Sequence, residues 1–412
     1  MIVHPLTVIN SNRSSHDFSM FLVGKPIPSH ITSLPETVLN TPFGQMLRPQ
    51  LDAAMRTVTQ APVPTPQQVT PSVAGAVSSQ TKANQEQTAA YKGALSKYLG
   101  LAKVGHKPVL YSVIPPLDKM AAKLDAHGKA PIVASLSTWI RSSLSPDVPK
   151  QESPLPDLPS FADWLRKCRG ELPPEKLFAA YDFLRIALAE PRVSGWFLAD
   201  GCATLVELLT DPAAHTNCPF ALSLISLQLS CNLFSSPLSH SLFLEHEEDS
   251  KDTANNQRKI LLTKIIDLAS YHLLLPSPAG FSAAETPRAY SAAVALLYNL
   301  SIAHQRAVAS DSQGLSADQQ IELTAGLIEA IDLSDSLLST EVKEAERRKL
   351  EADAKVSLQR QILSLAFIIV EEHDQSELRD LCRAMDAKGV IEKKSKSFTG
   401  QTWLKDTLVI VR

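Results

Sequence analysis

Apolar residues along the second half of the chain repeat at the spacing of one face of an α-helix. The clearest case lies within residues 172–188, where four large side chains follow the i, i+4, i+7, i+11 pattern: Leu177, Tyr181, Leu184 and Leu188. Two prolines stand before this stretch, where a helix begins, and Pro191 follows it, where the helix must end. So wide an apolar face needs neighbouring helices to bury it.

The same periodicity predicts a series of helices and very few strands. Upstream, residues 108–124 predict a short extended piece followed by a helix that starts at proline, and residues 132–144 predict another helix. The sequence therefore indicates an all-α fold. The remaining predicted helices cover residues 160–169, 172–188, 191–210, 220–234, 257–274, 287–307, 316–332, 350–371 and 376–387.

An internal similarity indicates that these helices stack as repeated units. LQLSCNLF at 227–234 and ALLYNLSI at 295–302 each combine an apolar helical pattern with one asparagine near its C-terminal end. A repeat of this kind buries its apolar face against the next repeat. We expect the two segments to occupy equivalent places in neighbouring units.

The chain also resembles a known family over this region. Two prolines, then Glu-Lys-Leu-Phe, then an aromatic and apolar helix with Leu184-Arg185 resemble the opening helices of the PUL domain. The resemblance reaches from about residue 155 to 412, and we place the domain at 157–412. In that family, which includes the phospholipase-activating protein of the ubiquitin pathway, the domain is an armadillo-like helical superhelix. The resemblance implies binding of the C-terminal tail of valosin-containing protein, the hexameric AAA ATPase that extracts ubiquitylated proteins.

A second resemblance concerns residues 1–60. Residues 21–55 contain Phe-Leu-x-Gly, Ile-Pro and Thr-Pro-Phe-Gly-Gln in order, and they resemble the C-terminal third of the PPPDE cysteine peptidases, the family of the desumoylating isopeptidases. In that family an Asn-Cys-Asn motif stands upstream, and its cysteine is the nucleophile. Ser11, between Asn10 and Asn12, takes the place of that cysteine here.

A serine hydroxyl needs stronger activation by a base than a thiol does, and no catalytic histidine matches the family pattern. We therefore expect no isopeptidase activity from this chain as given. Residues 1–60 are interpreted as a truncated PPPDE-like remnant, or as a region whose upstream exons are missing.

Composition suggests how the regions are joined. Residues 61–106 begin with a stretch of Pro, Gln, Thr, Ser, Ala and Val that has almost no charge, and we interpret them as a flexible linker. Residues 107–156 form a short helical connector that ends in a proline-rich stretch. The predicted organisation is thus remnant, linker, connector and PUL-like domain.

Charge and cysteine content exclude several function classes. The 412 residues have a formal net charge of −3, so we expect neither nucleic acid nor a membrane surface as a partner. The absence of a long apolar run and of a signal peptide favours a cytoplasmic and/or nuclear protein. The five cysteines are scattered through apolar helical patterns, which predicts reduced structural thiols. His215 and Cys218 share a helical face without a second ligand pair, so no metal or other cofactor is expected.

The candidate site consists of polar residues on the predicted inner helices. In armadillo-type repeats, asparagines bond the main chain of an extended peptide, and Asn232 and Asn299 suit that role. A core asparagine that bridges adjacent helices is an equal alternative. Arg185 suits a carboxylate of the bound tail, and its alternative is an i, i+3 pair with Asp182. Three cations near the C-terminal helices complete the predicted peptide site: Lys388, Lys393 and Lys394.

Three functions compete on this basis. A non-catalytic adaptor of the ubiquitin–proteasome or SUMO pathway is favoured, with the ATPase tail as partner and proteins of those pathways as further partners. The alternative is a member of the PPPDE thiol peptidase lineage, deSUMOylating or deubiquitylating, whose catalytic half is missing from this chain. A helical scaffold without an assigned ligand is the third.

Overall fold

The computed structural model describes most of the chain after residue 93. Within that part every regular element is helical, which confirms the predicted all-α class. Residues 1–93, and with them Ser11 and most of the predicted linker, lie outside the described residues, and so does His215. The described residues are 94–104, 106–144, 154–209, 218–243, 253–274, 281–282, 284–309, 312, 314–334, 344–370 and 376–412.

The described part contains the following α-helices: α1 (Leu99–Lys103), α2 (Leu117–Lys123), α3 (Pro131–Ser143), α4 (Leu158–Glu171), α5 (Pro174–Ala187), α6 (Pro191–Ala199), α7 (Cys202–Leu208), α8 (Phe220–Asn232), α9 (Thr253–Leu274), α10 (Thr286–Ala309), α11 (Ala317–Leu333), α12 (Glu344–Ile369), α13 (Ser376–Ala384), α14 (Ala387–Lys394) and α15 (Thr402–Ile410). Short 3-10 helices cover Ala94–Lys97, Asp125–Lys129, Leu233–Ser235, Pro237–Phe243 and Ser395–Phe398.

The helices stack in two layers, as in an armadillo-like solenoid. Helices α5, α8, α10 and α12 pack side by side in chain order, and we call them the inner layer. Helices α7, α9 and α11 form a second layer, in which α9 packs on α10 and α11 packs on α12. Each inner helix is thus covered on more than one side, which explains why α5 and α10 have few exposed positions.

Helix α5 has the buried apolar face that its sequence predicts. Tyr181 is 1% exposed and Leu184 is not exposed at all, and Leu177 and Leu188 are buried beside them. Burial of one such side chain contributes about 1.5–3 kcal/mol relative to leaving it in water. The hydroxyl of Tyr181 donates a hydrogen bond of 2.8 Å to the carbonyl of Leu208, so this face also links α5 to the end of α7.

Two predicted helices are each divided in the structure. The predicted helix 191–210 breaks between α6 and α7 at Gly201, a poor helix former, where a Cβ atom would lie 2.6 Å from the Trp196 ring. The predicted helix 376–387 breaks between α13 and α14 at Asp386, which has a φ of 49°. The Asp386 carboxylate accepts a hydrogen bond from the Gly389 N–H at 3.3 Å and so starts α14.

An extended segment precedes the stack and crosses its inner layer. We call residues 106–116 the arm; they have no regular secondary structure and lie between α1 and α2. Helix α1 packs on α15 at the C-terminal end of the chain, and α2 packs on α5 near the start of the stack. The arm therefore runs opposite to the order of the inner helices.

Helix α1 is anchored by a residue that is distant in sequence. The Asp406 carboxylate, on α15, accepts hydrogen bonds from the N–H groups of Gly100 at 2.6 Å and Leu101 at 3.1 Å. These are the amides that an N-cap side chain normally satisfies, and Tyr98 at that position makes no such bond. Residues 94–104, at the end of the predicted linker, are thus largely helical in the structure.

Candidate functional site

Two asparagines of the inner layer hold the arm through its main chain. The side-chain oxygen of Asn232 accepts a bond from the Tyr111 N–H at 2.7 Å, and its Nδ2 donates to the Tyr111 carbonyl at 3.0 Å. Asn299 makes the same pair of bonds with Val109, at 2.7 and 2.9 Å. Alternate residues of an extended chain present these groups at the same edge. We call Asn232 and Asn299, with these four bonds to the arm, the ladder. Because its bonds go to main-chain groups, the ladder can hold a peptide whatever side chains the peptide carries.

Each asparagine also bridges two neighbouring helices. Nδ2 of Asn232 donates to the carbonyl of Arg185 at 2.7 Å, and Nδ2 of Asn299 donates to the carbonyl of Cys231 at 3.1 Å. Asn232 is 0% exposed and Asn299 is 1% exposed. The two interpretations made from sequence therefore coexist, since each amide bridges helices and also holds a peptide. That peptide is part of the same chain, and binding of a foreign peptide at these residues stays a prediction.

Arg185 continues the ladder toward α2. Its Nε donates to the Asp182 carboxylate at 2.6 Å, which is the i, i+3 pair anticipated as an alternative. Its two terminal nitrogens donate to the carbonyls of Tyr111 and Val113. Burial raises the pKa of the Asp182 carboxyl above its ordinary value, although the Arg185 guanidinium opposes this shift. Both side chains are 7% exposed, so neither charge has water as an alternative partner.

A second arginine holds the other end of the arm. Nη2 of Arg306 donates to the His106 carbonyl at 2.8 Å, and the His106 ring packs on Phe367 with a centroid distance of 4.9 Å. Burial, with the Arg306 charge as a second cause, lowers the pKa of His106 from 6.5 to about 4. His106 is therefore a neutral residue of the interior near pH 7.

The predicted lysines stand on a different helix from the ladder. Helix α14 packs on α11 and α13, whereas Arg185, Asn232 and Asn299 belong to α5, α8 and α10. Lys388 lies 3.7 Å from Glu392, and Lys393 lies 3.8 Å from Asp332, in pairs that are open to solvent. Such pairs contribute little to stability, so these ammonium groups remain accessible to an acidic partner. Lys394 follows at the end of the same helix.

Sequence reasoning missed Arg306 and the identity of the bound peptide. Arg306 lies seven residues after Asn299, two turns along one helical face, so helical spacing from that asparagine would have indicated it. The sequence correctly predicts an extended segment at the arm. The position of the arm on the inner layer depends on contacts with distant residues, such as the bond between Val109 and Asn299, which are 190 residues apart. No local pattern contains that information.

Metal-binding groups and thiols of the described residues can be assessed directly. No group of three or more His, Cys, Asp and Glu side chains in this part of the chain is arranged to hold a metal ion. Burial raises the pKa of the thiols, to about 12 for Cys168 and to about 11 for Cys202 and Cys382, so these cysteines are weak nucleophiles. The helices described here also include none with the length and apolar character that a membrane span requires.

Comparison with protein families identifies the helical region. The model of the PUL domain matches residues 106–408, which is more than half of the chain. The match starts ahead of the domain boundary predicted at residue 157 and takes in the arm. The matched region thus includes the two asparagines of the ladder and also the arm that they hold.

A shorter similarity concerns the N-terminal region. The chain is 57% identical over 44 residues to desumoylating isopeptidase 1 of Homo sapiens, and equally to the proteins of that name from Rattus norvegicus and Xenopus laevis. The similarity covers 11% of this chain and 26% of each relative. The chain thus spans about a quarter of the length of these curated relatives.

Proposed function

Because this chain belongs to the PUL-domain family, a family of protein-interaction domains, we propose that it is a non-catalytic adaptor of the ubiquitin–proteasome or SUMO pathway. Its partner is the C-terminal tail of the AAA ATPase valosin-containing protein, and it acts in the cytoplasm and/or the nucleus. Proteins of the two pathways are its further partners. The described residues support binding better than catalysis, since their polar groups are arranged around a peptide main chain.

The asparagine ladder carries this proposal. Asn232 and Asn299 each satisfy both main-chain groups of one residue of an extended peptide, which is how armadillo-type grooves bind their ligands. Since the arm already fills the ladder, a tail reaches these asparagines and Arg185 only when it displaces residues 109–113. The exposed lysines of α14 attract the acidic or carboxylate end of the tail without that displacement.

Calorimetric titration with the ATPase tail peptide tests the proposal. We expect the wild-type chain to bind, and the triple variant Lys388→Glu, Lys393→Glu, Lys394→Glu to bind at least about tenfold more weakly, because several charge contacts are reversed. The matched control reverses three lysines of other helices: Lys119, Lys129 and Lys167. No binding by the wild-type chain, or equal loss in both triple variants, would refute the proposed contact.

A second variant tests whether the tail enters the ladder. Val109→Pro removes the N–H that the arm donates to Asn299, so it weakens the hold on the arm. If the tail displaces the arm, this variant binds the tail more tightly than the wild-type chain does. Unchanged affinity would show that the tail binds outside the ladder.

The similarity to desumoylating isopeptidase 1 supports a second candidate, a chain of the PPPDE peptidase lineage. We expect no cleavage of SUMO or ubiquitin conjugates by this chain, because Ser11 replaces the nucleophilic thiol. A conjugate-cleavage assay with Ser11→Ala as control measures this. Cleavage that disappears in Ser11→Ala would establish a serine nucleophile and reject the non-catalytic assignment. Ser11→Cys should also be inactive, since it supplies no base.

A further inference from the structure

One edge of the arm carries main-chain groups that the ladder does not use. Alternate residues of an extended chain present their N–H and carbonyl groups to opposite edges. The ladder takes both groups of Val109 and both groups of Tyr111 at one edge. Leu110 and Ser112 therefore present theirs at the other edge, and neither makes a main-chain hydrogen bond to another described residue. We call the main-chain groups of Leu110 and Ser112 the free edge.

The side chains of the arm alternate with the same two-residue period. Val109 and Tyr111 are half-buried and pack on the core, whereas Leu110 and Ser112 are exposed. Leu110 is 36% exposed, and Val113, just beyond the ladder, is 82% exposed. Two apolar side chains thus stand in solvent beside unpaired main-chain groups. An edge with these properties is a template on which another extended chain can pair.

Prolines limit the length of a strand that can be added. Pro108 belongs to the same edge as Leu110 and has no N–H to donate, and Pro115 ends the arm on the other side. The free edge is therefore short. An added strand can pair with residues 107–113, where two residues of the arm offer both a donor and an acceptor.

Charge favours a foreign peptide over a second copy of the chain. Residues 106–117 include Lys107, which is exposed, and no acidic residue. An acidic side chain on an added strand would form a favourable cross-strand pair with Lys107. A second arm that paired antiparallel about Tyr111 would instead set Pro115 opposite Lys107. The arm is therefore a poorer partner for itself than an acidic peptide is.

We propose that the free edge binds an extended peptide of a partner protein, which joins the arm as an antiparallel second strand. The peptide has apolar residues opposite Leu110 and Val113 and an acidic residue opposite Lys107. Leu110 and Ser112 each exchange two main-chain hydrogen bonds with the residue opposite, as hydrogen-bonded pairs of antiparallel strands do. The arm stays on the ladder in this complex. The inference does not depend on the ATPase tail as partner.

The synthetic peptide Ac-VTTVTTE-NH2 tests the proposal on the full chain by NMR titration. In the proposed alignment its valines lie opposite Val113 and Leu110, and its glutamate lies opposite Lys107. N-methylation of its second and fourth residues removes the amides that face Ser112 and Leu110, and should weaken binding at least about tenfold. The matched control carries the methyl groups on the third and fifth residues, whose amides face away. It should bind as the unmodified peptide does.

Variants of the chain test the same contacts from the other side. Ser112→Pro removes one N–H of the free edge and should weaken peptide binding about fivefold to tenfold, whereas Ser112→Ala, which keeps that N–H, should not. Slow hydrogen exchange at Val109 and Tyr111 in both variants shows that the arm is still on the ladder. Lys107→Glu should also weaken binding, and Lys103→Glu, at an exposed position of α1, should leave it unchanged.

Three results would overturn the proposal. The first is no binding of the unmodified peptide, and the second is an equal loss of affinity for both methylated peptides. The third is protection of the Leu110 and Ser112 amides that rises with protein concentration in the chain alone. That result would identify a second copy as the occupant of the free edge.

Discussion

Arg185 has a buried charged partner that its removal would leave unpaired. Its guanidinium donates to the buried Asp182 carboxylate and also to two carbonyls of the arm. We expect Arg185→Ala to lower the free energy of unfolding by about 3–5 kcal/mol, because it leaves a buried carboxylate without its counter-charge. Urea denaturation measures the change. The double variant Arg185→Ala, Asp182→Asn should recover part of the loss, and a loss below about 1 kcal/mol would contradict this account.

His106 should make the stability of the protein sensitive to acid. Its pKa is about 4 in the folded chain and near 6.5 when unfolded, so the unfolded chain binds the proton more tightly. The contribution of neutral His106 is fully present above about pH 6.5 and is lost as the pH falls toward 4. The wild-type chain should lose roughly 3 kcal/mol more than His106→Gln between about pH 7 and pH 4. Parallel curves of unfolding free energy against pH would contradict this prediction.

The contact between α1 and α15 stabilises α1 at residues 99–103. Asp406→Ala removes the acceptor for two amides of α1 and should cost about 1 kcal/mol, with faster hydrogen exchange at Gly100 and Leu101. Asp380→Ala is a suitable control, because Asp380 is exposed and pairs with a neighbour on its own helix, Arg383. Equal exchange in the two variants would show that α1 does not depend on α15.

How well the sequence predicted each helix depended on where its determinants lie. Helix α5 was predicted closely because its start, its end and its apolar face are all local: two prolines, Pro191 and one 3.6-residue pattern. Asn232 and Asn299 could be predicted as a pair because α8 and α10 contain similar segments, each with one asparagine near its C-terminal end. Helix α1 lacks a capping side chain of its own, and its partner stands at the far end of the sequence. A single sequence read in local windows does not reveal such a pair.

The whole molecule should be cut by proteases in a definite order. The helices from α4 to α15 pack into one stack, while residues 61–87 have a polar, proline-rich composition that cannot bury a core. We expect limited proteolysis to cut first within 61–87 and to leave a resistant fragment that contains residues 157–412. Fragments detected over time by mass spectrometry measure this order. Early cuts within the C-terminal helices, with 61–87 intact, would contradict the prediction.

The bond between Gly100 and Asp406 joins positions that are 306 residues apart. At about 5–20 residues per second, a ribosome that has made Gly100 needs roughly 15–60 s more to reach Asp406. During that time the arm can meet α5, then α8 and α10, but α1 still lacks the carboxylate that caps it. Helices α1 and α15 are therefore joined only after Asp406 has been made. Until then we expect the arm to leave the ladder more easily, because the helix that precedes it is not yet anchored.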